Sequence, residues 1–304
     1  MRNGNIGSIS VSYPDELVAC FGRNPIIING FSGTSIEMEV TNDHTGQVRK
    51  ERRAPFGDVC TFELDYFLGS LFDQSVLGSV DYEGIGDSGM VREHTIKLSF
   101  YNDTNVSNEF TFKMRVSWAA KMMPTEQNLT MFSGYPFTVS LVTDEDESVK
   151  VGSKTYTATS DSVTVPVDAP CVVTTKYQTV TINEGRCNDG IYLRWIDIYG
   201  RYCYWAFKKG NSTISLTEES KFVRSRVMKS VKNVGSKTEI CAPLVDAETF
   251  DFLLNMAASP YIEMYTSEGW VMVDIEAGDI VRERTSLQDF IVTLVLPDTE
   301  VQKL

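Results

Sequence analysis

The stretch Ile191-Tyr192-Leu193-Arg194-Trp195-Ile196, then Asp197-Ile198-Tyr199-Gly200, then Arg201-Tyr202-Cys203-Tyr204-Trp205-Ala206-Phe207 decides the reading of the fold. Two matched runs of aromatic and branched residues flank a glycine-containing turn, which is the pattern of a β-hairpin. Upstream, residues 35–40 (SIEMEV), 93–100 (EHTIKLSF) and 110–118 (FTFKMRVSW) alternate polar and apolar side chains. That period of two marks half-buried strands. Residues 101–108 (YNDTNVSN) carry turn chemistry and predict a hairpin between the last two runs. Residues 62–72 (FELDYFLGSLF) satisfy strand spacing first and helical spacing later, so a strand entering a short helix is expected there. The glycine-rich residues 78–89 read as an exposed loop.

After Trp118 the text changes, and Pro124 marks a seam. Short Val-, Thr- and Ser-rich runs at 136–142, 153–159, 161–167 and 172–182 are separated by turns, as in a sandwich-like module. Downstream of the hairpin, Asp246 is placed to cap a helix with Glu248 in its first turn. Phe250, Leu253, Leu254 and Ala257 share one face of it before Pro260 stops it. Strands over 261–266, 270–275 and 289–296 close the chain. The expected fold is therefore mainly β: linked β-sandwich-like modules with one short amphipathic helix packed on a C-terminal sheet. The expected segments are 1–121, a small module over 122–182, and a β-rich domain with the helix over 183–304.

The chain has 304 residues, of which 42% are hydrophobic and 23% charged, a globular composition. With 28 Lys and Arg against 41 Asp and Glu, the net charge is −13, a field that repels phosphates and disfavours general or sequence-specific nucleic-acid binding. No apolar run is long enough for an export signal or a membrane span, so a soluble chain is expected. The six cysteines are scattered without a C-x-x-C pair and read as reduced residues of a cytosolic protein. Cys187 and Cys203, flanking the hairpin, are the one pair placed for a disulfide.

Motifs for catalysis are sparse. Only His44, in a turn, and His94, in a strand, could serve as imidazole bases, and neither has the setting of one. Gly84-Ile85-Gly86-Asp87-Ser88-Gly89 has the glycine spacing of a nucleotide loop without the helix that must follow it. Asp144-Glu145-Asp146-Glu147 lacks the glycine and distal Glu of a calcium loop and reads as a solvated turn. No enzyme activity, metal or cofactor is expected. The hairpin aromatics suit a core or an interface better than a sugar platform.

One charge feature opposes the global sign. Residues 221–237 (KFVRSRVMKSVKNVGSK) hold six cations and no acid, leaving 22 basic against 41 acidic residues elsewhere, or −19. Contact with an identical subunit or another partner, and a plain exposed basic strand pair, are equally good readings. Nucleic acid is a third.

Residues 190–197 (GIYLRWID), 204–210 (YWAFKKG), 259–265 (SPYIEMY), 270–273 (WVMV), 24–27 (NPII) and 62–72 resemble uncharacterised structural proteins of tailed phages and prophages of Bacteroidetes. The similar islands are spread over most of the chain, and no catalytic residue carries over. The resemblance implies a tail ring, collar or baseplate component, similar in architecture to distal tail proteins that build rings from β modules. It further implies assembly in the host cytoplasm, residence in the virion, and partners that are copies of itself and other tail proteins. Contact residues are expected at Arg224, Arg226, Lys229 and Lys232 of the basic stretch and at Tyr202 and Tyr204 of the hairpin. A carbohydrate-binding adhesin module is the alternative, and a glycan hydrolase stands behind it.

Overall fold

A computed structural model describes residues 1–72, 77–187, 190–224 and 227–297, with the backbone alone over 216–224 and 227–234. The fold is mainly β, with several sheets and two short helices among the described residues. Contacts group the chain into two compact units. The first comprises Met1–Leu129, Thr138–Ile182 and Ile198–Arg201, and the second Thr130–Phe137, Asn183–Asp197 and Tyr202–Leu304.

In the first unit, strands Arg2–Ile6, Ile9–Tyr13, Pro25–Asn29 and Val59–Glu63 form a four-stranded sheet in that order. A five-stranded sheet runs Leu17–Ala19, Asn105–Ser117, Val91–Asn102, Ser35–Asn42, Val48–Arg53. Strict alternation along Ser35–Asn42 turns Ile36, Met38 and Val40 inward, where they meet Ile26, Ile28, Phe62, Leu98 and Phe100 in one core. The segment at 62–72 is a strand to Glu63 and then helix Asp65–Leu71, whose Leu68 and Leu71 are buried in the same core. The turn expected across 101–108 is much shorter. Pairing continues to Asn102↔Asn105 around Asp103 (φ 57°), because exposed Asn and Ser side chains leave the backbone ladder free to form.

Two further sheets lie in this unit. One runs Glu126–Phe132, Thr179–Gly185, Val172–Thr174, Ser148–Val151, Lys154–Thr157, its first two strands counted here through Leu129 and Ile182. The other runs Thr138–Val142, Ser162–Pro166, Gly86–Asp87. Residues 1–121 thus share one compact unit with 122–129 and 138–182, Gly86–Asp87 pairing with residues 163–164 of the later segment. The Asp87 carboxylate takes both Arg92 guanidinium nitrogens (2.9 and 2.7 Å) and the Ser160 hydroxyl (3.0 Å).

The second unit is built on one seven-stranded antiparallel sheet: Gly269–Met272, Ile262–Thr266, Ile191–Ile196, Tyr202–Arg224, Val227–Val245, Gln288–Leu296, Asp274–Ile275. The decisive hairpin pairs Ile191↔Phe207 through Ile196↔Tyr202. Helix Ala247–Ala257 starts where its cap demands, the Asp246 carboxylate accepting the Thr249 backbone N–H at 2.8 Å. Phe250, Leu253 and Met256 pack from it against Leu193, Trp195, Phe207, Phe290 and Leu294. The helix therefore covers one face of the C-terminal sheet, as its apolar stripe requires.

Candidate interaction site: a two-stranded ribbon rooted in the C-terminal sheet

Five of the six contact residues expected from the sequence belong to one hairpin, Tyr202–Arg224 with Val227–Val245, and they lie at its opposite ends. At the root, Tyr202 and Tyr204 are 1% and 2% exposed. This corrects their assignment as contact residues: rings so enclosed give a partner nothing to touch. The cover comes from a distant segment of the same unit. Phe137 packs on Tyr204 (ring centroids 5.0 Å apart), Tyr135 stacks on Tyr192 (4.4 Å), and the Tyr192 hydroxyl donates to the Pro136 carbonyl at 3.0 Å.

Beneath these rings lies an ion pair. Arg194 and Glu263 are cross-strand neighbours whose side chains are 2% and 8% exposed, with Arg194 Nε 2.5 Å from Glu263 Oε2. The guanidinium also faces the rings of Trp270 (4.4 Å) and Tyr202 (5.3 Å). Tyr261, half-buried beside the Glu263 carboxylate, has its phenol pushed well above the ordinary range, chiefly by desolvation. The Cys203 thiol donates to the Asp197 carboxylate at 3.4 Å.

Beyond the root the two strands continue together. Tyr202–Arg224 loses its neighbour Ile191–Ile196 after Phe207, and Val227–Val245 keeps its neighbour Gln288–Leu296 only as far as Ser236. From Ser215↔Gly235 to Arg224↔Val227 the strands pair only with each other among the described residues. At about 3.3 Å per residue, that free ribbon is about 30 Å long. Its register places Glu218 opposite Lys232, Phe222 opposite Lys229, and Arg224 opposite Val227 at the end of the described pairing. Arg224, Lys229 and Lys232 therefore occupy the outer half of the ribbon, while Arg226 lies outside the described residues. At the ribbon's base the Ser212 and Thr238 hydroxyls meet at 3.1 Å, Ile214 is 70% exposed, and Lys237 pairs with Glu276 at 2.5 Å. The sequence signal for this element was an unbroken run between Gly210 and Gly235 without Pro or Gly, rich in β-branched residues.

The remaining candidates find structural roles. Asp144–Glu147 is a constructed turn and not simply a solvated one. Arg115, its side chain 10% exposed, binds Asp144 Oδ1 (2.9 Å), the Thr143 carbonyl (3.2 Å) and the Tyr177 hydroxyl (2.8 Å). Tyr177 in turn donates to Asp144 at 2.5 Å. Hydrogen bonds from Lys176 and Tyr177 hold the Asp144 carboxyl below the usual carboxylate range. Glu147 accepts the backbone N–H of Asp144 at 2.9 Å and that of Lys176. His94 is buried, its Nδ1–H donating to the Arg92 carbonyl at 3.1 Å, and burial pushes its pKa down. Cys20, also buried, has its thiol pushed up to about 12, chiefly by desolvation, which keeps it protonated and unreactive. Among the described residues no group of three or more His, Cys, Asp and Glu is placed to hold a metal. A depression of about 210 Å³ is lined by Ser133, Glu184, Gly185, Arg186 and Cys187. No helix among the described residues is long and apolar enough to cross a membrane.

No protein-family model matches the chain, and no curated protein does. Two solved structures share distant similarity. The periplasmic chaperone SfaE is 11% identical, with 58% of this chain and 100% of that chain covered at a TM-score of 0.22. A 1.5-MDa bacterial ice-binding adhesin, described for host cell surface retention, is 9% identical, with 79% and 93% covered at a TM-score of 0.19.

Proposed function

We propose that this chain is a structural protein of a tailed-phage virion, a ring, collar or baseplate component of the tail that acts by self-association and contact with neighbouring tail proteins. The free ribbon carries this reading. A two-stranded hairpin without a third strand or a core is marginal by itself in water. The chain nonetheless extends two strands of its largest sheet over about 30 Å, pairing only with each other among the described residues. An element that gains no third strand from its own chain among the described residues is suited to use in an assembly. The resemblance of the islands around Ile191–Phe207 and Ser259–Val273 to phage structural proteins supports the same conclusion. The net charge of −13 suits a channel wall past which DNA slides without sticking. In this reading no substrate is transformed, assembly takes place in the host cytoplasm, and the finished protein resides in the virion.

The adhesin alternative needs exposed coplanar rings, and Tyr192, Trp195, Tyr202 and Tyr204 are all buried. Native mass spectrometry and electron microscopy of the purified chain test the proposal. Closed homo-oligomers support it, and a chain that stays monomeric and is absent from particles overturns it.

A further inference from the structure

We infer that residues 216–234 are the segment through which one copy of this chain grips a second copy, the ribbon lying on the acidic body of its neighbour. This rests on the self-assembly reading above and names the contact that reading leaves open.

Three observations converge. The first is geometric. From Ser215↔Gly235 outward the register is continuous except for one bulge at Glu218/Ser220, so the ribbon runs on from its own sheet and gains no further strand of its own chain among the described residues. The second is compositional. Register positions pair Leu216 with Val234 and Val223 with Met228, and Phe222 and Val231 lie between them. Two paired strands form no core by themselves, so a segment of this composition is stabilised by a further surface laid against it. The third is electrostatic. Residues 216–234 hold five cations, Lys221, Arg224, Arg226, Lys229 and Lys232, against two acids, Glu218 and Glu219, whereas the rest of the chain has 23 basic and 39 acidic residues, or −16. A basic arm on an acidic body is complementary to its own copies, and because arm and acceptor are different surfaces the contact is head-to-tail, the kind that closes into rings.

The test uses the full chain and two variants. One reverses Lys221, Arg224, Lys229 and Lys232 to Glu. The other joins residues 215 and 235 through an Asn-Gly turn, removing residues 216–234. Circular dichroism and thermal melting check that each variant folds, and sedimentation velocity and native mass spectrometry read association.

The wild type is expected to form oligomers that weaken as salt rises from about 0.1 to about 1 M, where the screening length falls from about 10 to about 3 Å. The charge-reversed chain is expected to associate at least about tenfold more weakly. The ribbonless chain is expected to be monomeric alone but to bind wild-type chains, since it keeps the acceptor surface. Ribbonless or charge-reversed chains that assemble like the wild type overturn this inference and leave the assembly role standing. Wild-type chains that remain monomeric overturn both. Wild-type chains that bind a short random-sequence DNA duplex in preference to their own copies overturn the choice of occupant.

Discussion

Replacing Glu263 by Gln removes the carboxylate that pairs with the Arg194 guanidinium in the interior of the second unit. The pair sits at 2.5 Å with side chains 2% and 8% exposed, so solvent cannot take over the role of the missing carboxylate. Removing one member of such a pair costs about 3–5 kcal/mol. The rings of Trp270 and Tyr202 at 4.4 and 5.3 Å return part of that, about 1 kcal/mol, leaving a loss of about 3 kcal/mol. For a unit of this size that lowers the melting temperature by about 10 °C.

The reciprocal change, Arg194→Met, leaves the Glu263 carboxylate facing an apolar side chain and should cost a similar amount. The double variant, with no buried charge, should lie within about 1 kcal/mol of the wild type. Urea denaturation followed by tryptophan fluorescence reads this directly, since Trp195, Trp205 and Trp270 belong to the second unit and only Trp118 to the first. Single variants that each lose under about 1 kcal/mol, or a double variant as unstable as the two losses combined, would refute the reasoning.

Three further perturbations follow from the geometry. Asp246→Ala removes the carboxylate that accepts the Thr249 N–H and should destabilise helix Ala247–Ala257 by about 1 kcal/mol, seen as faster amide exchange in its first turn. Gly200 has φ 73°, and a Cβ there would stand 2.5 Å from the Trp118 carbonyl oxygen, so Gly200→Ala should cost about 1–3 kcal/mol by chemical denaturation of the first unit. The Asp144 carboxyl is held low in the folded state by Lys176 and Tyr177, so its stabilisation is present above the unfolded carboxyl value and lost as pH falls through the lower folded one. Asp144→Asn should therefore flatten the acid limb of the stability profile below about pH 4, and an unchanged limb would count against this role.

Features encoded within a dozen residues were legible in the sequence. The hairpin over Ile191–Phe207 and the helix capped by Asp246 needed only local pattern and one side-chain bond. The fate of Tyr202 and Tyr204 was not legible, because the lid over their face, Tyr135 to Phe137, comes from more than sixty residues upstream. Likewise Asp144 met Arg115 and Tyr177 only through tertiary structure, so an acidic turn that looked solvated proved to be clasped. The basic stretch was visible as charge, but its position on the free end of a two-stranded ribbon depends on where neighbouring strands stop, and no local pattern records that.

The order in which the chain visits its two units constrains how this protein can change over time. Residues 130–137 leave the first unit to roof the aromatic face of the second, and 198–201 return from the middle of the decisive hairpin. A recombination event that transplanted everything after residue 182 as a cassette would strip Tyr192 and Tyr204 of their roof and leave the donor turn without its hosts at Trp118 and Gln127. Inheritance of the gene as an indivisible block is the corollary, with exposed loop tips the places where change is tolerated best.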